Sequence, residues 1–198
     1  MRSEVWSLIF TFGGVAPTGI FALFAVLAFV ERRAWRAAIV WPLCLLVAVA
    51  VGAATKVVYY GWGIEYGLGV FRGFSGHTLR AAAVYPTFVY SILAGSPRYR
   101  VIGGLAFGSL IAGLVLFAAV HLRVHTLAEA VAGAITGAIA VWLACGNGGM
   151  APLRGSTQLL IVVGALLLAI AMPPFRFDLE QVAVDFAAWL RHGSIPVR

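Results

Sequence analysis

The sequence predicts an all-α, polytopic membrane protein: six transmembrane helices in one bundle, followed by an amphipathic helix at the membrane interface. Three observations predict it. Hydrophobic residues make up 62% of the 198 positions and charged residues only 11%, a balance outside the soluble globular range. The charge-free stretches are long: Leu8–Val30, Ala37–Thr55, Ala81–Ser96, Val101–Val120, Ala130–Leu153 and Gly155–Pro174. A spanning helix needs roughly 20 mostly apolar residues, and five of the six stretches approach or exceed that. Finally, the ionisable groups cluster where these stretches begin or end.

The first span, about Leu8–Val30, has no small-residue cleavage site before Glu31-Arg32-Arg33, so it reads as a retained anchor and not as a signal peptide. The second runs about Ala37–Tyr60 and carries Lys56, the only lysine, in its last turn. A glycine-rich loop, Gly61 to Phe74, leads to the third. That span reaches membrane length if it starts near Ser75, with His77 and Arg80 in its first turns; Pro86 is expected to kink it. The turn Ser96-Pro97-Arg98-Tyr99-Arg100 opens the fourth, about Val101–His121. The fifth runs about Leu127–Ala144 and is closed by Gly146-Asn147-Gly148-Gly149. The sixth, about Thr157–Met172, ends at Pro173-Pro174. Residues 1–174 form the transmembrane domain, and Gly104, Gly108, Gly133 and Gly137 suit close helix packing within it. In the tail, 175–198, Phe175, Leu179, Val182, Phe186 and Trp189 recur at helical spacing among charges, the pattern of a helix lying in the interface.

Six spans put both termini on one face, together with Lys56, Ser75-Gly76-His77 and His125–Glu129. The opposite face carries Arg32, Arg33, Arg36, Arg98, Arg100 and Arg154 against Glu31 alone. With Lys56, Arg72, Arg80 and Arg123 set aside as candidate site residues, the positive-inside rule places the six-arginine face in the cytoplasm. The expectation is an integral protein of a bacterial inner membrane with its site on the extracytoplasmic side. The net charge of +7 resides almost wholly in arginines scattered at helix ends, with no basic stripe interleaved with aromatics, so nucleic acid is excluded as a partner. Cys44 and Cys145 lie in apolar helices and make no disulfide framework.

Ionisable residues at membrane edges are costly and mark function. Ser75-Gly76-His77 opens a helix, whose unpaired N–H groups suit an anion. Ser75 can cap the helix or donate to a phosphate, and His77 can protonate a leaving oxygen. Glu129 lies four residues after His125 and has two readings. It can bond one ring nitrogen and leave the other as a nucleophile, or it can close a capping box with Thr126. His121, His125 and Glu129 have metal-ligand spacing only on a continuous helix, and the chain must break between them, so no metal is assigned.

The series Lys56, Ser75-Gly76-His77 and His125-x-x-x-Glu129 resembles the type-2 phosphatidic acid phosphatase family, whose superfamily includes the vanadium-dependent haloperoxidases. The resemblance covers Lys56 to Gly133. It implies a membrane lipid phosphatase in which His125 attacks phosphorus, Glu129 orients it and His77 protonates the leaving group. Lys56, Ser75 and Gly76 would hold the phosphate, with no metal or cofactor. The chain departs from the family pattern at four places. Phe74 replaces Pro, Glu129 replaces Asp, Gly63-Ile64 stand where Arg-Pro is usual, and Ala118-Ala119 where Ser-Arg is usual. Arg72, Arg80 and Arg123 are the candidates to replace the two missing arginines. The expected substrate is a lipid phosphate or diphosphate in the bilayer. The rivals are a phosphotransferase on the same scaffold and an inactive lipid-phosphate binding or transport protein.

Overall fold

A computed structural model of the protein describes residues 2–64, 71–145, 152–171 and 179–192, as eight α-helices with no strand among them. They are α1 (Arg2–Thr11), α2 (Val15–Glu31), α3 (Trp35–Trp62), α4 (Gly76–Leu93), α5 (Arg98–His121), α6 (Leu127–Cys145), α7 (Gly155–Ala171) and α8 (Leu179–His192). The expected first span is two helices, bent by 42° across Phe12-Gly13-Gly14. Gly13 sits against the start of α4. A Cβ there would lie 2.8 Å from the His77 Cβ and 2.8 Å from Val115 Cγ1, so only glycine lets α1 fold over this point.

The bundle is built around α4. From Thr78 to Phe88 every residue of α4 is buried, and the helix packs against α6, α5, α2 and α3. The four glycines predicted to mediate close packing all serve this one helix. A Cβ on Gly108 would lie 2.6 Å from the Pro86 backbone, and one on Gly133 would lie 2.5 Å from the Ser75 carbonyl. Gly104 meets Val89 and Leu93, and Gly137 meets the Leu79 carbonyl. Small residues thus bring backbones into direct contact, as helix association in lipid favours. At the far end of α4, Arg32 donates to the Ala94 and Ile92 carbonyls, and Gln158 also donates to Ile92. These bonds satisfy carbonyls that every helix C-terminus leaves over.

The expectation of six membrane-length spans is not met. Among the described residues, only α3 and α5 are long and apolar enough to cross a membrane, or three spans if the bent pair α1 and α2 counts as one. The reason is length and polarity. The 17 residues of α7 rise about 26 Å against a hydrocarbon core of about 30 Å. The start of α4 carries His77 and Arg80, and α4 is the bundle's core, not a lipid-facing element. The outer faces are apolar all the same: Leu46 and Val47 of α3, Phe107 and Leu110 of α5, and Leu160 and Ile170 of α7 are all exposed. An exterior with this many exposed apolar side chains is compatible with a membrane as its solvent.

The tail helix departs from expectation in how it is used. Of the predicted apolar stripe, Val182, Phe186 and Trp189 face outward, each about half exposed, while Ala183 and Ala187 are buried. Ala187 lies against Gly61 of α3, and Arg191 donates to the Gly61 carbonyl at 3.3 Å. One side of α8 is therefore docked on α3, and the bulky apolar side is left for an interface. Phe175, Arg176 and the Pro173-Pro174 stop lie outside the described residues, as does the Gly146–Gly149 turn.

Candidate functional site

The three polar islands come together at one end of the bundle. The end of α5 arranges this. Leu122 and Arg123 donate to the Ala118 and Val120 carbonyls, and Val124 and His125 both donate to the Ala119 carbonyl. Arg123 takes the left-handed conformation with φ 55°. This chain reversal ends α5 and turns His125 toward α4 before α6 begins.

Glu129 fills both of its predicted roles at once. Its Oε2 accepts from the Thr126 backbone N–H at 3.0 Å, while the Glu129 N–H donates to Thr126 Oγ1 at 3.3 Å, a closed capping box. The same oxygen lies 3.1 Å from His125 Nδ1. Oε1 accepts from the Arg72 backbone N–H at 2.6 Å. A carboxylate has about four acceptor positions, so the two readings need not compete. The Glu129 carbonyl in turn accepts from the Ser75 N–H at 3.1 Å, which ties α6 to the start of α4. Thr78 adds a second tie, donating to the Ala130 carbonyl at 3.0 Å. Glu129 is 2% exposed.

His125 is buried, which lowers its pKa; the nearby Lys56 charge lowers it further, and the Glu129 bond opposes both without reversing them. The ring is therefore neutral at neutral pH. Donating from Nδ1 to Glu129, it keeps a lone pair on Nε2.

Ser75 is fully buried as the N-cap of α4, its Oγ accepting from the Thr78 N–H at a long 3.5 Å. His77, in the first turn of α4, stacks on Phe10 of α1 with ring centroids 4.0 Å apart. Arg80 is buried, and its Nε donates to the Gly13 carbonyl at 3.1 Å. Its guanidinium lies under Gly76, where an added Cβ would be 3.0 Å from the nearest terminal nitrogen. Lys56, Gly76, His77, Arg80 and His125 all line one cavity of about 860 Å³, whose other walls are mainly apolar, Phe10, Ile20, Val49 and Leu79 among them. Arg72 and Arg123 do not face it. They are exposed and line a separate groove of about 250 Å³ with Thr126 and Glu129. His125 borders both spaces.

Of the three arginine candidates, then, Arg80 stands in the cavity with His77, Arg123 stands in the outer groove, and Arg72 lines that groove while its side chain bonds Tyr60, the partner of Glu180. The positions where the family pattern has arginine are different. Gly63 and Ile64 are exposed at the end of α3, and Ala118 and Ala119 are fully buried. His121 belongs to neither space. It stacks on Phe117, with centroids 5.6 Å apart, and packs on Trp6. The turn after it separates it from Glu129, and no cluster of three metal-ligating side chains occurs among the described residues.

One site residue went unread in the sequence. Glu180, in the first turn of α8, reaches into the cavity. Its Oε2 accepts from Lys56 Nζ at 2.6 Å and its Oε1 from Tyr60 Oη at 2.7 Å. Burial would raise its pKa, but the hydrogen bonds from Lys56 and Tyr60 outweigh that and hold it below the ordinary carboxylate value. No local pattern announces this residue. An acid opening an amphipathic helix is ordinary.

No protein-family model matches this chain, and no solved structure matches it. It is similar, at 34% identity over 120 residues, to a protein of Klebsiella pneumoniae described as "Uncharacterized 22.5 kDa protein in cps region". The match takes in 58% of this chain and 53% of that protein, so the chain spans about half the length of the curated relative it matches.

Proposed function

We propose that the protein is a membrane lipid phosphatase that hydrolyses a lipid phosphate or diphosphate through a phosphohistidine. The observation that carries this reading is the buried, carboxylate-bound His125 at the cationic end of a large apolar cavity. The lipid tail occupies the apolar walls and the phosphate lies among Lys56, Arg80 and the start of α4. The Nε2 lone pair of His125 attacks phosphorus and the ester P–O bond breaks. The negative charge of the bound phosphate favours the imidazolium form of His77, and that imidazolium donates the proton that the leaving oxygen takes up. Glu129 stabilises the charged imidazole that forms. A water then attacks the phosphohistidine and gives up a proton to His77, the P–N bond breaks, and free phosphate, neutral His125 and protonated His77 are regenerated. Cations lie where the transition state spreads negative charge, which is the principal catalytic need of phosphoryl transfer. We place the site on the extracytoplasmic side of an inner membrane. One of the six arginines behind that orientation, Arg32, also caps α4, so the charge argument rests mainly on the other five.

Phosphate release from a panel of lipid phosphates tests the reading. His125→Ala should abolish turnover, by at least about a thousandfold, while the protein stays folded. Full activity in that variant refutes the nucleophile assignment. The pairing of Lys56 with Glu180 favours one rival, a protein that binds lipid phosphates without cleaving them. Wild-type binding with no phosphate release from any lipid would establish it. A phosphorylated lipid acceptor in place of free phosphate would identify a transferase.

A further inference from the structure

The cavity's cationic end already holds an anion, and the chain supplies it. Lys56, Arg80, His77 and His125 surround this end on α3, α4 and the turn before α6. The carboxylate that enters it comes from the last helix, which is docked chiefly on α3. Glu180 takes a 2.6 Å bond from Lys56, which is only 7% exposed, and a 2.7 Å bond from Tyr60. The Glu180 carboxylate offsets the Lys56 charge and takes one of its three ammonium donors, so a phosphate at this end competes with Glu180 for Lys56. The seating of α8 is suited to release. It rests on α3 through Ala183, Ala187 and the Arg191–Gly61 bond, with its large apolar residues turned outward.

We propose that Glu180 is a tethered stand-in for the substrate's phosphate, and that α8 is a strap which an incoming anionic headgroup displaces from Lys56. The inference rests on the phosphatase reading only in taking this end of the cavity as an anion site. It adds that the chain's own tail competes for that site. Release of α8 would expose the Lys56 ammonium to substrate and free the apolar face of Val182, Phe186 and Trp189 to settle on the bilayer.

The test uses the full-length protein in detergent, with inorganic phosphate as the probe and calorimetry as the readout. Glu180→Gln keeps the shape and removes the charge, and it should bind phosphate roughly tenfold more tightly than wild type. Lys56→Ala should abolish the gain. A second arm does not depend on substituting Glu180. Gly61→Cys with Ala187→Cys, in a Cys44→Ala and Cys145→Ala background, places the two Cβ positions about 3.6 Å apart, within disulfide range. The disulfide pins α8 about two turns from Glu180. Phosphate should slow its formation, and the oxidised protein should bind phosphate more weakly than the reduced one. Unchanged or weaker phosphate binding by Glu180→Gln would show that the carboxylate merely positions Lys56 and would overturn the proposal. So would the absence of phosphate binding in every variant. Phosphate binding that responds to Glu180 with no lipid turnover would overturn only the phosphatase reading.

Discussion

Replacing Glu129 by glutamine separates two jobs that one side chain performs. The carboxylate accepts from three donors: the Arg72 N–H on Oε1, and the Thr126 N–H and His125 Nδ1 on Oε2. Glutamine keeps the volume but offers one oxygen. If that oxygen takes the Oε2 position, its NH₂ group confronts the Arg72 N–H across 2.6 Å, donor against donor. Leaving that N–H unpaired costs about 1–3 kcal/mol. The two surviving bonds lose their charge assistance, worth about 1 kcal/mol each. The sum is about 3–5 kcal/mol, a large share of the margin by which a domain of this size stays folded. Thermal unfolding in detergent should therefore fall by several degrees for Glu129→Gln. It should fall little for His125→Ala, which deletes only one of the three donors. Phosphate release should fall in both. A Glu129→Gln variant as stable as wild type would refute the argument that this carboxylate holds the loop before α4 to the start of α6. An equally stable variant with lost turnover would leave only its role toward His125.

Three further expectations follow from the same geometry. Because burial and Lys56 depress the His125 pKa, turnover should persist below the ordinary histidine range near pH 6.5, and Lys56→Met should move the acid limb of the pH profile upward. The sign for stability is the converse. Below about pH 6.5 the unfolded chain takes up a proton that the folded His125 refuses, so stability should decline as pH falls through that range, measurable as a falling unfolding temperature. Gly133→Ala should be destabilising by about 1–3 kcal/mol, and should lower phosphate release as well, because the new methyl meets the Ser75 carbonyl. Among the arginines, Arg80→Ala should lower phosphate release most, since Arg80 alone stands in the cavity; equal losses in Arg72→Ala and Arg123→Ala would shift the phosphate to the outer groove.

The helical architecture was legible because its signals are local. Ser75 as an N-cap and the Thr126–Glu129 box act within a few residues of themselves and are found in their predicted roles; the apolar runs are found as helices, though not as six spans. The failures are long-range. Hydrophobicity reads α4 as one more lipid-facing span, because a helix buried in protein and one buried in lipid have the same composition. The break at Gly13-Gly14 is written in glycines that a hydropathy run passes over, since what demands Gly13 is His77 and Val115 of other helices. Glu180 was invisible for a related reason. Its meaning comes from Lys56, 124 positions away in sequence, and nothing near it in the chain records that meeting. Glu129 belongs with the local signals, because its carboxylate has acceptor positions enough to close the box and bond His125 together.

The enclosure of α4 by its neighbours also bears on biosynthesis. As the chain emerges, α4 is complete before α5 and α6, the two helices that cover most of it, exist. Until they arrive, Arg80 and His77 have only α1 to α3 for company, and the small-residue surfaces that later receive α5 and α6 stand open to lipid or to an insertion factor. Maturation of the site is therefore a late event, fixed when α6 brings Glu129 to the Ser75 and Arg72 amides. A chain truncated after His121 should be held as an assembly intermediate and cleared by quality-control proteases, whereas one truncated after α7 already contains the Glu129 contacts that seat His125 and lacks only the wall that Leu179 and Glu180 of α8 supply.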